Sequence, residues 1–426
     1  MSPDPAPSLG PGGLLTCEVL VVGAGPAGGD LAAQLARAGI DVCLVDQLQD
    51  LTKSAFSSAG MPLAAMPRYG LPAELVGARW DSWRLIGPGD QWRDWSATAP
   101  LGVVLQFGAL RRWLADQCQS WGGTVRLGRR AVAISHEAEA LVTRLRGRDG
   151  QMETVRSAWV VDATGHSRSL IGDPEPVPGP RGRDRNLISA VGVEWLMQVP
   201  EATWEHWRGK LSFCLGSDWV PQGYGWVFPM QRGQIKLGVC RLENPGQVAS
   251  PLAPLMQSLQ HRLLDPQCRG GLQVLDRHGG RVRSSVKRQE PHRRGRLIAL
   301  GDAVSTANLL GGEGIRHALE SSRVLAPLLS EAVRIDRAGH GRAGAMKALD
   351  RYPRHLHRAL GWRWSLSGRI ARRTWSSLTG ARGDERLSRV LKGLEQQRAE
   401  DLSALLFDYR FERYGARMLP YLLGWR

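Results

Sequence analysis

Four apolar residues, Val19 to Val22, run directly into Gly23, Gly25 and Gly28, and apolar positions then recur at helical spacing at Leu31, Leu35 and Ala38. A second apolar run, Val42 to Val45, ends at Asp46. A continuous run, a 3.6-residue period and a second run predict strand, helix and strand, with the glycines at the first turn. Downstream lies a region rich in Trp and Gly (Trp80, Trp83, Trp92, Trp95), then a helix over GALRRWLADQCQSWGG. The apolar strand in SAWVVDATGHSRS breaks at Asp162, Ala163, Thr164 and Gly165. From about residue 175 to 280 the pattern is that of inserted strands, among them YGWVFPM and QIKLGVC. Strand, glycine turn and helix then return in GRLIALGDAVSTANLLGGEGIRHALE, with Gly301-Asp302 at the strand end and a helix starting near Glu313. Beyond about residue 336 the chain reads as helices rich in arginine and aromatics, and no fixed-period repeat is present.

The first glycine turn has a chemical reading. In the run Gly23, Ala24, Gly25, Pro26, Ala27, Gly28, the first glycine permits a tight turn and the second lets backbone approach a pyrophosphate. The third lets helix and strand pack closely. The helix start adds unpaired N–H groups and a positive dipole end. Asp46, where a ribose hydroxyl would be bound, completes a dinucleotide-binding unit. A second strand–Gly–Asp turn at Gly301-Asp302, far along the chain, suits a long flavin dinucleotide held at both ends. Asp302 would then bond the ribityl chain, and the helix beginning near Gly312 would point its dipole at the flavin ring, favouring the anionic reduced form. The expected fold is therefore α/β: a discontinuous Rossmann-like FAD-binding domain from 14–170 plus 281–335, with 80–97 contributing to the substrate side. An inserted β-rich substrate domain at 171–280 and a C-terminal helical region at 336–426 complete it, after a disordered tail at 1–13.

In the YGWVFP strand, Tyr224, Trp226 and Phe228 fall on one face because strand side chains alternate. Three aromatics on one face make a flat apolar wall suited to a long hydrocarbon. No Ser-His-Asp arrangement, carboxylate pair or metal-ligand cluster stands out, and His166, His355 and His357 receive no role.

The chain resembles flavoproteins of the para-hydroxybenzoate hydroxylase architecture, and within them the geranylgeranyl reductase family. GAGPAG, DATG and GD mark the wider group. PQGYGWVFP (Pro221 to Pro229) matches the family's PxxYxWxFP substrate-cavity motif, and NLLGGEGI (Asn308 to Ile315) resembles its NPxTGEGI. The similarity spans about residues 17–335. Leu309 replaces a proline and Gly311 a threonine, the cysteine-bearing KxCGG loop reads KSAFSSAG (Lys53 to Gly60), and Cys240 replaces the second glycine of a GxG. Phe107 stands where an arginine is usual, leaving Arg111 or Arg112 for the phosphate or adenine end.

The resemblance implies FAD contacts from Gly23 to Gly28, Asp46, Gln47, Arg111, Ala131, Asp162 to Gly165, Gly301, Asp302, Gly312, Gly314 and Ile315. It implies a substrate wall of Tyr224, Trp226 and Phe228. The activity it implies is reduction of C=C bonds in a polyprenyl or similar lipophilic substrate. A flavin monooxygenase, a halogenase-like enzyme and a non-redox flavoprotein such as a carotenoid cyclase are the alternatives. No catalytic side chain is assigned; Tyr224 is the best in-cavity hydroxyl. With no second GxGxxG unit, electrons are expected from transiently bound NADPH or an electron-carrier protein.

Of the 426 residues, 42% are hydrophobic and 23% charged, which excludes disordered and fibrous classes. No window approaches the roughly 18 apolar residues of a spanning helix. The six cysteines are scattered, which argues against a disulfide framework or zinc module and for a reducing, cytoplasmic setting. The N-terminal MSPDPAPSLGPGG lacks the basic start and apolar core of a signal peptide. The net charge of +16 is concentrated: seven Lys/Arg against one acid between Arg281 and Arg296, and sixteen against seven from Arg351 to Arg426. With no helix-turn-helix, zinc-finger or RNP pattern, no nucleic-acid partner is expected. Anionic lipid, an acidic protein or a phosphorylated substrate fits better. On a helix from Leu360 to Leu378, one face carries Leu360, Trp364, Ala371, Trp375 and Leu378, with Arg369, Arg372 and Arg373 elsewhere. That face, with Leu419, Tyr421, Leu422, Leu423 and Trp425, is expected to dock peripherally on a membrane.

Overall fold

A computed structural model describes residues 14–53, 57–173, 187–243, 251–264, 271–285, 290–339 and 342–418. Two sheets organise them. The first runs in the order Arg293–Arg294, Leu297–Ala299, Met152–Asp162, Leu14–Val22, Val42–Asp46 and Thr124–Leu127. The five strands from Leu297–Ala299 to Thr124–Leu127 are parallel, and an antiparallel hairpin, Arg129–His136 with Leu141–Gly147, joins the sheet on Met152–Asp162. Leu14–Val22, at the centre, is nearly continuous in apolar residues because helices and loops cover both of its faces. The helices Pro26–Arg37, Phe107–Ser120 and Ile315–Arg337 pack together beside this sheet. Leu31, Leu35, Leu325 and Leu329 are all fully buried there.

The second sheet has nine strands, and Gly223–Pro229 lies within it between Gln234–Glu243 and Gly209–Leu215. It also takes in Gly60–Pro62, Val76–Gly87, Gln91–Ser96 and Gly102–Leu105, and ends on Gln273–Ser285. The substrate-side sheet therefore gathers strands from 60–105 as well as from the inserted segment. Period-two alternation divides its side chains between two covers. Val227, Val239 and Ile86 face the helices Glu201–Trp207 and Leu252–Leu263, whereas Trp226, Phe228 and Phe213 face the C-terminal helices.

The C-terminal region comprises Arg342–Leu349, Tyr352–Ser377, Ala381–Leu394, Ala399–Leu406 and a final turn, Phe411–Met418. Tyr352–Ser377 breaks at Gly361, whose φ of 75° only glycine takes without strain. The apolar face expected to meet a membrane is instead protein core. Trp364 is 1% exposed and Trp375 7%, and each indole N–H donates to a carbonyl, Thr306 O at 3.2 Å and Leu309 O at 2.8 Å. A buried indole needs such an acceptor, and the sheet-side loop provides it. Trp362, 63% exposed, is the outlying tryptophan of this helix. The closing residues, Leu419 to Trp425, lie outside the described residues, as does the 1–13 tail. Among the described residues no helix is long and apolar enough to cross a membrane. Cys17, Cys43, Cys118, Cys214 and Cys240 are free thiols, and no metal-binding cluster is present among the described residues.

Candidate functional site

The glycine turn fits a dinucleotide on steric grounds. A Cβ at Gly23 would lie 2.3 Å from Ala163 O, and one at Gly28 would lie 2.0 Å from Gly23 O, so the turn, the helix and the Asp162–Gly165 turn are in backbone contact. A Cβ at Gly25 would meet nothing within 4 Å; this glycine faces open space at the helix start, where a pyrophosphate would lie. The helix begins at Pro26 with no side-chain cap, so its first-turn amides remain available. Asp46 ends its strand with Oδ2 accepting the Ala24 N–H at 2.7 Å and Oδ1 the Leu48 N–H at 2.8 Å.

Two cavities extend from this turn. One, polar, is lined by Gln47, Gln49, Asp50, Lys53, Arg130 and Arg146, at the ribose side of Asp46. Ala131 lies next to Arg130, at a register shift in its hairpin. The other is lined by Gly25, Pro26, Ala27, Ala163, Gly165, Asp302, Gly312, Gly314 and Ile315, and beyond them by Tyr224, Trp226 and Phe228. These expected contacts, far apart in sequence, therefore converge. Asp302 accepts a hydrogen bond from Thr306 Oγ1 at 3.1 Å, and burial pushes its carboxyl up to about 6. Gly301 is buried behind it with φ 64°. Ile315–Arg337 starts at this cavity with Gly314 as its cap and no side-chain partner, so its positive dipole end faces the same space. The donors and the open glycine fit FAD: Gly25 would hold the pyrophosphate, Asp302 the ribityl chain, and Gly312, Gly314 and Ile315 the ring.

Three expected contacts already have hydrogen-bond partners within the protein. Asp162 is fully buried, and its carboxylate accepts Thr164 N–H and Oγ1, Leu170 N–H and Ile171 N–H. It shapes the turn instead of presenting oxygen to a ligand, while Thr164 spends its hydroxyl on Asp162. Arg111 donates to the carbonyls of Leu51 and, at 2.7 Å, Lys53, bracing the segment after Asp46. Arg112 pairs with Asp116 on the surface.

The aromatic wall is larger than its motif. Phe213 on the neighbouring strand packs edge-on to Tyr224 and Phe228, and Ser57, Ser58, Cys240 and Asn308 also line the cavity. Cross-strand register sets Tyr224 opposite Cys240, Trp226 opposite Gly238 and Phe228 opposite Lys236. Burial holds the Tyr224 hydroxyl well above the ordinary phenol range, with Cys240 adding to the shift, and holds the Cys240 thiol at about 12. Behind the wall, fully buried Glu194 accepts Trp226 Nε1–H at 2.9 Å and lies 3.0 Å from His278 Nε2. Lys236 stands 4.0 Å from Glu194, and its ammonium donates to Ser57 O at 2.9 Å and Ser58 O at 3.2 Å. Burial lowers the Lys236 pKa. Arg168, 1% exposed, ties the Asp162–Gly165 turn to the Asp302 turn by donating to Ser305 Oγ at 2.5 Å. Phe213, Lys236 and Glu194 carry no local motif, and strand pairing brings them here, whereas Arg168 follows the Asp162–Gly165 turn directly.

Residues 18–202 match the lycopene cyclase protein family. A digeranylgeranylglycerophospholipid reductase of Haloferax volcanii is 28% identical over 328 residues, 74% of this chain and 76% of that protein. A menaquinone reductase of Mycolicibacterium smegmatis is 31% identical over the same length and shares. In fold, a geranylgeranyl bacteriochlorophyll reductase-like protein of Thermoplasma acidophilum superimposes with a TM-score of 0.74 at 19% identity, over 96% of this chain and 100% of that one. With an FAD-shaped cleft, the full PxxYxWxFP wall and relatives at this identity and coverage, the chain belongs to the geranylgeranyl reductase family of FAD-dependent oxidoreductases.

Proposed function

We propose that this enzyme hydrogenates C=C bonds in the polyprenyl chain of a lipid. The observation that carries the reading is the adjacency of two cavities. The cavity at Asp302, Gly312, Gly314 and Ile315 shares Phe213, Tyr224 and Gly311 with a second cavity, lined by leucines beneath the C-terminal helices. A long hydrocarbon has room on both sides of the aromatic wall.

Bound FAD, once reduced, supplies the hydride. An isolated alkene accepts hydride poorly, so the chain's own residues must hold it close and dry. Trp226, fixed by Glu194, and Phe228 and Phe213, packed edge to face, form a rigid apolar surface for this. The second hydrogen arrives as a proton. Tyr224 Oη borders the cavity, and burial keeps it protonated at neutral pH. Electrons come from NADPH bound in passing or from an electron-carrier protein; the absence of a second GxGxxG unit in the sequence supports a transient donor. Exposed Trp362, with Arg363 stacked over its ring, supports peripheral contact with a membrane from the cytoplasmic side. The buried indoles take no part in it.

The test is anaerobic incubation of dithionite-reduced holoprotein with a geranylgeranyl lipid, followed by mass spectrometry. A gain of two hydrogens per reduced bond is expected. Product carrying oxygen, formed only in air, would make the enzyme a monooxygenase and overturn the reading.

A further inference from the structure

A row of side chains crosses four strands of the second sheet. His278, on the edge strand Gln273–Ser285, lies opposite Glu194, Glu194 opposite Gly238, and Gly238 opposite Trp226. Because Gly238 has no side chain, the indole lies over it and reaches Glu194 two strands away, where Nε1–H donates to Oε2 at 2.9 Å. Glu194 Oε1 faces His278 Nε2 at 3.0 Å and the Lys236 ammonium at 4.0 Å. His278 Nδ1 lies 3.2 Å from Oδ2 of half-exposed Asp276. Burial opposes a charge on this imidazole, but Glu194 and Asp276 outweigh it and raise its pKa. Lys236 is a buried cation whose ion pair among the described residues is with Glu194. Its hydrogen bonds go to Ser57 O and Ser58 O, in the loop that lacks the cysteine of the related pattern. Ser57 and Ser58 line the flavin-side cavity, as do Trp226 and Phe228, and a Cβ on Gly60 would lie 3.3 Å from Phe228 Cε2. One buried carboxylate therefore reaches two parts of that lining, the indole directly and the loop through Lys236.

We propose that Glu194 and Lys236 are positioning residues for hydrogenation, Glu194 fixing the Lys236 ammonium and the ammonium fixing the Ser57–Ser58 loop beside the aromatic wall. This rests on the reductase reading for the reaction, whereas the hold on the loop exists without lipid or turnover. A buried ammonium that loses its counter-charge gives up its proton. A neutral amine then donates to the two carbonyls about half as strongly. Removing the charge at Glu194 therefore reaches the loop, although the carboxylate's own hydrogen bonds among the described residues go to Trp226 and His278. A displaced loop alters how closely alkene and flavin approach. That slows the chemical step and leaves the hold of the leucine-lined cavity on the hydrocarbon intact.

The test has two arms, both on full-length, FAD-loaded protein. In the first, without lipid, hydrogen exchange is read at the amides of Ser57 to Gly60. Glu194→Gln keeps an acceptor for the indole but removes the charge, and exchange in the loop is expected to quicken about tenfold. Trp226→Phe, which takes away the carboxylate's indole partner, should leave the loop at the wild-type rate. In the second arm, the anaerobic assay with the geranylgeranyl lipid, Glu194→Gln should lower kcat about tenfold or more and keep KM within about twofold. The Glu194→Gln/Lys236→Met double variant should match Lys236→Met alone in both arms, since the two residues act through one contact. Unchanged loop exchange in Glu194→Gln overturns the proposal, as do quickened exchange with unchanged kcat and losses that multiply in the double variant. A rise in KM alone also overturns it, because the pair would then hold the hydrocarbon and not the reacting geometry. Gln has the shape of Glu, and unchanged flavin content checks the fold; if Glu194→Gln loses flavin, Lys236→Met carries both arms. Absence of hydrogenation by the wild type sinks the reductase reading and the positioning role with it, while quickened exchange still shows the carboxylate coupled to the loop. Hydrogenation by the wild type with unchanged loop exchange in Glu194→Gln sinks the positioning role alone.

Discussion

Replacing Gly238 by alanine tests how the aromatic wall is held. A Cβ there would lie 2.1 Å from Trp226 Cζ2 and 2.2 Å from Cε2. Neither partner can yield cheaply. Gln234–Glu243 is paired on both sides, with Gly238 opposite Glu194 on one neighbour and Trp226 on the other. The indole is pinned by its 2.9 Å bond to buried Glu194. Overpacking of a core costs about 1–3 kcal/mol, and losing a buried hydrogen bond to a charged acceptor costs about 1.5–3 kcal/mol. Together they put Gly238→Ala at about 3–5 kcal/mol. Urea unfolding of the FAD-loaded protein, followed by circular dichroism and flavin fluorescence, measures it. Trp226→Phe supplies the control: it removes the atoms that clash but leaves Glu194 without that donor. The double variant should therefore be more stable than the summed single losses by at least about 2 kcal/mol. A loss below about 1 kcal/mol for Gly238→Ala, or simple additivity, would refute this account of the wall.

Gly28→Val should yield folded protein without visible flavin absorption, since its Cβ would overlap Gly23 O at 2.0 Å in the dinucleotide turn; flavin retained at wild-type occupancy would contradict this. The Asp302 carboxyl, raised to about 6, binds its proton more tightly folded than unfolded. Flavin-free protein should therefore lose stability as pH rises from about 4 to about 6, by up to about 3 kcal/mol. Asp302→Asn should flatten that slope in thermal melts. Lys236→Met should free the Ser57 and Ser58 carbonyls, so that hydrogen exchange quickens in the loop ahead of Gly60–Pro62 while flavin content stays unchanged.

The dinucleotide turn could be read from sequence because its chemistry is local: glycine spacing, an apolar strand and a terminal acid lie within thirty residues of one another. The Tyr224, Trp226 and Phe228 wall was readable for a similar reason, strand alternation. What covers an amphipathic face is not local. Trp364 and Trp375 have the spacing that both a membrane interface and a protein core accept, and only the carbonyls of Thr306 and Leu309 decide for the core. Asp162 illustrates the same limit within a single motif. Its position marks the turn, but the Leu170 and Ile171 amides that occupy Oδ2 come from the chain's return, which spacing does not show. Phe213 and Lys236 entered the site through strand order, and pairing between strands distant in sequence leaves no mark in either one.

The indole bonds from Trp364 and Trp375 to Thr306 and Leu309 join the roof of the leucine-lined cavity to the glycine loop on which the flavin ring would rest. Tyr409 adds a third tie, its hydroxyl 3.3 Å from Glu313 in that same loop. Two ligands whose sites share a structural element obey thermodynamic reciprocity: whatever factor one lends to the other's affinity, it receives in return. A lipid that orders these helices must tighten cofactor retention by the same factor by which the cofactor tightens the lipid. Flavin loss during purification and weak lipid binding would then be one defect, measured twice.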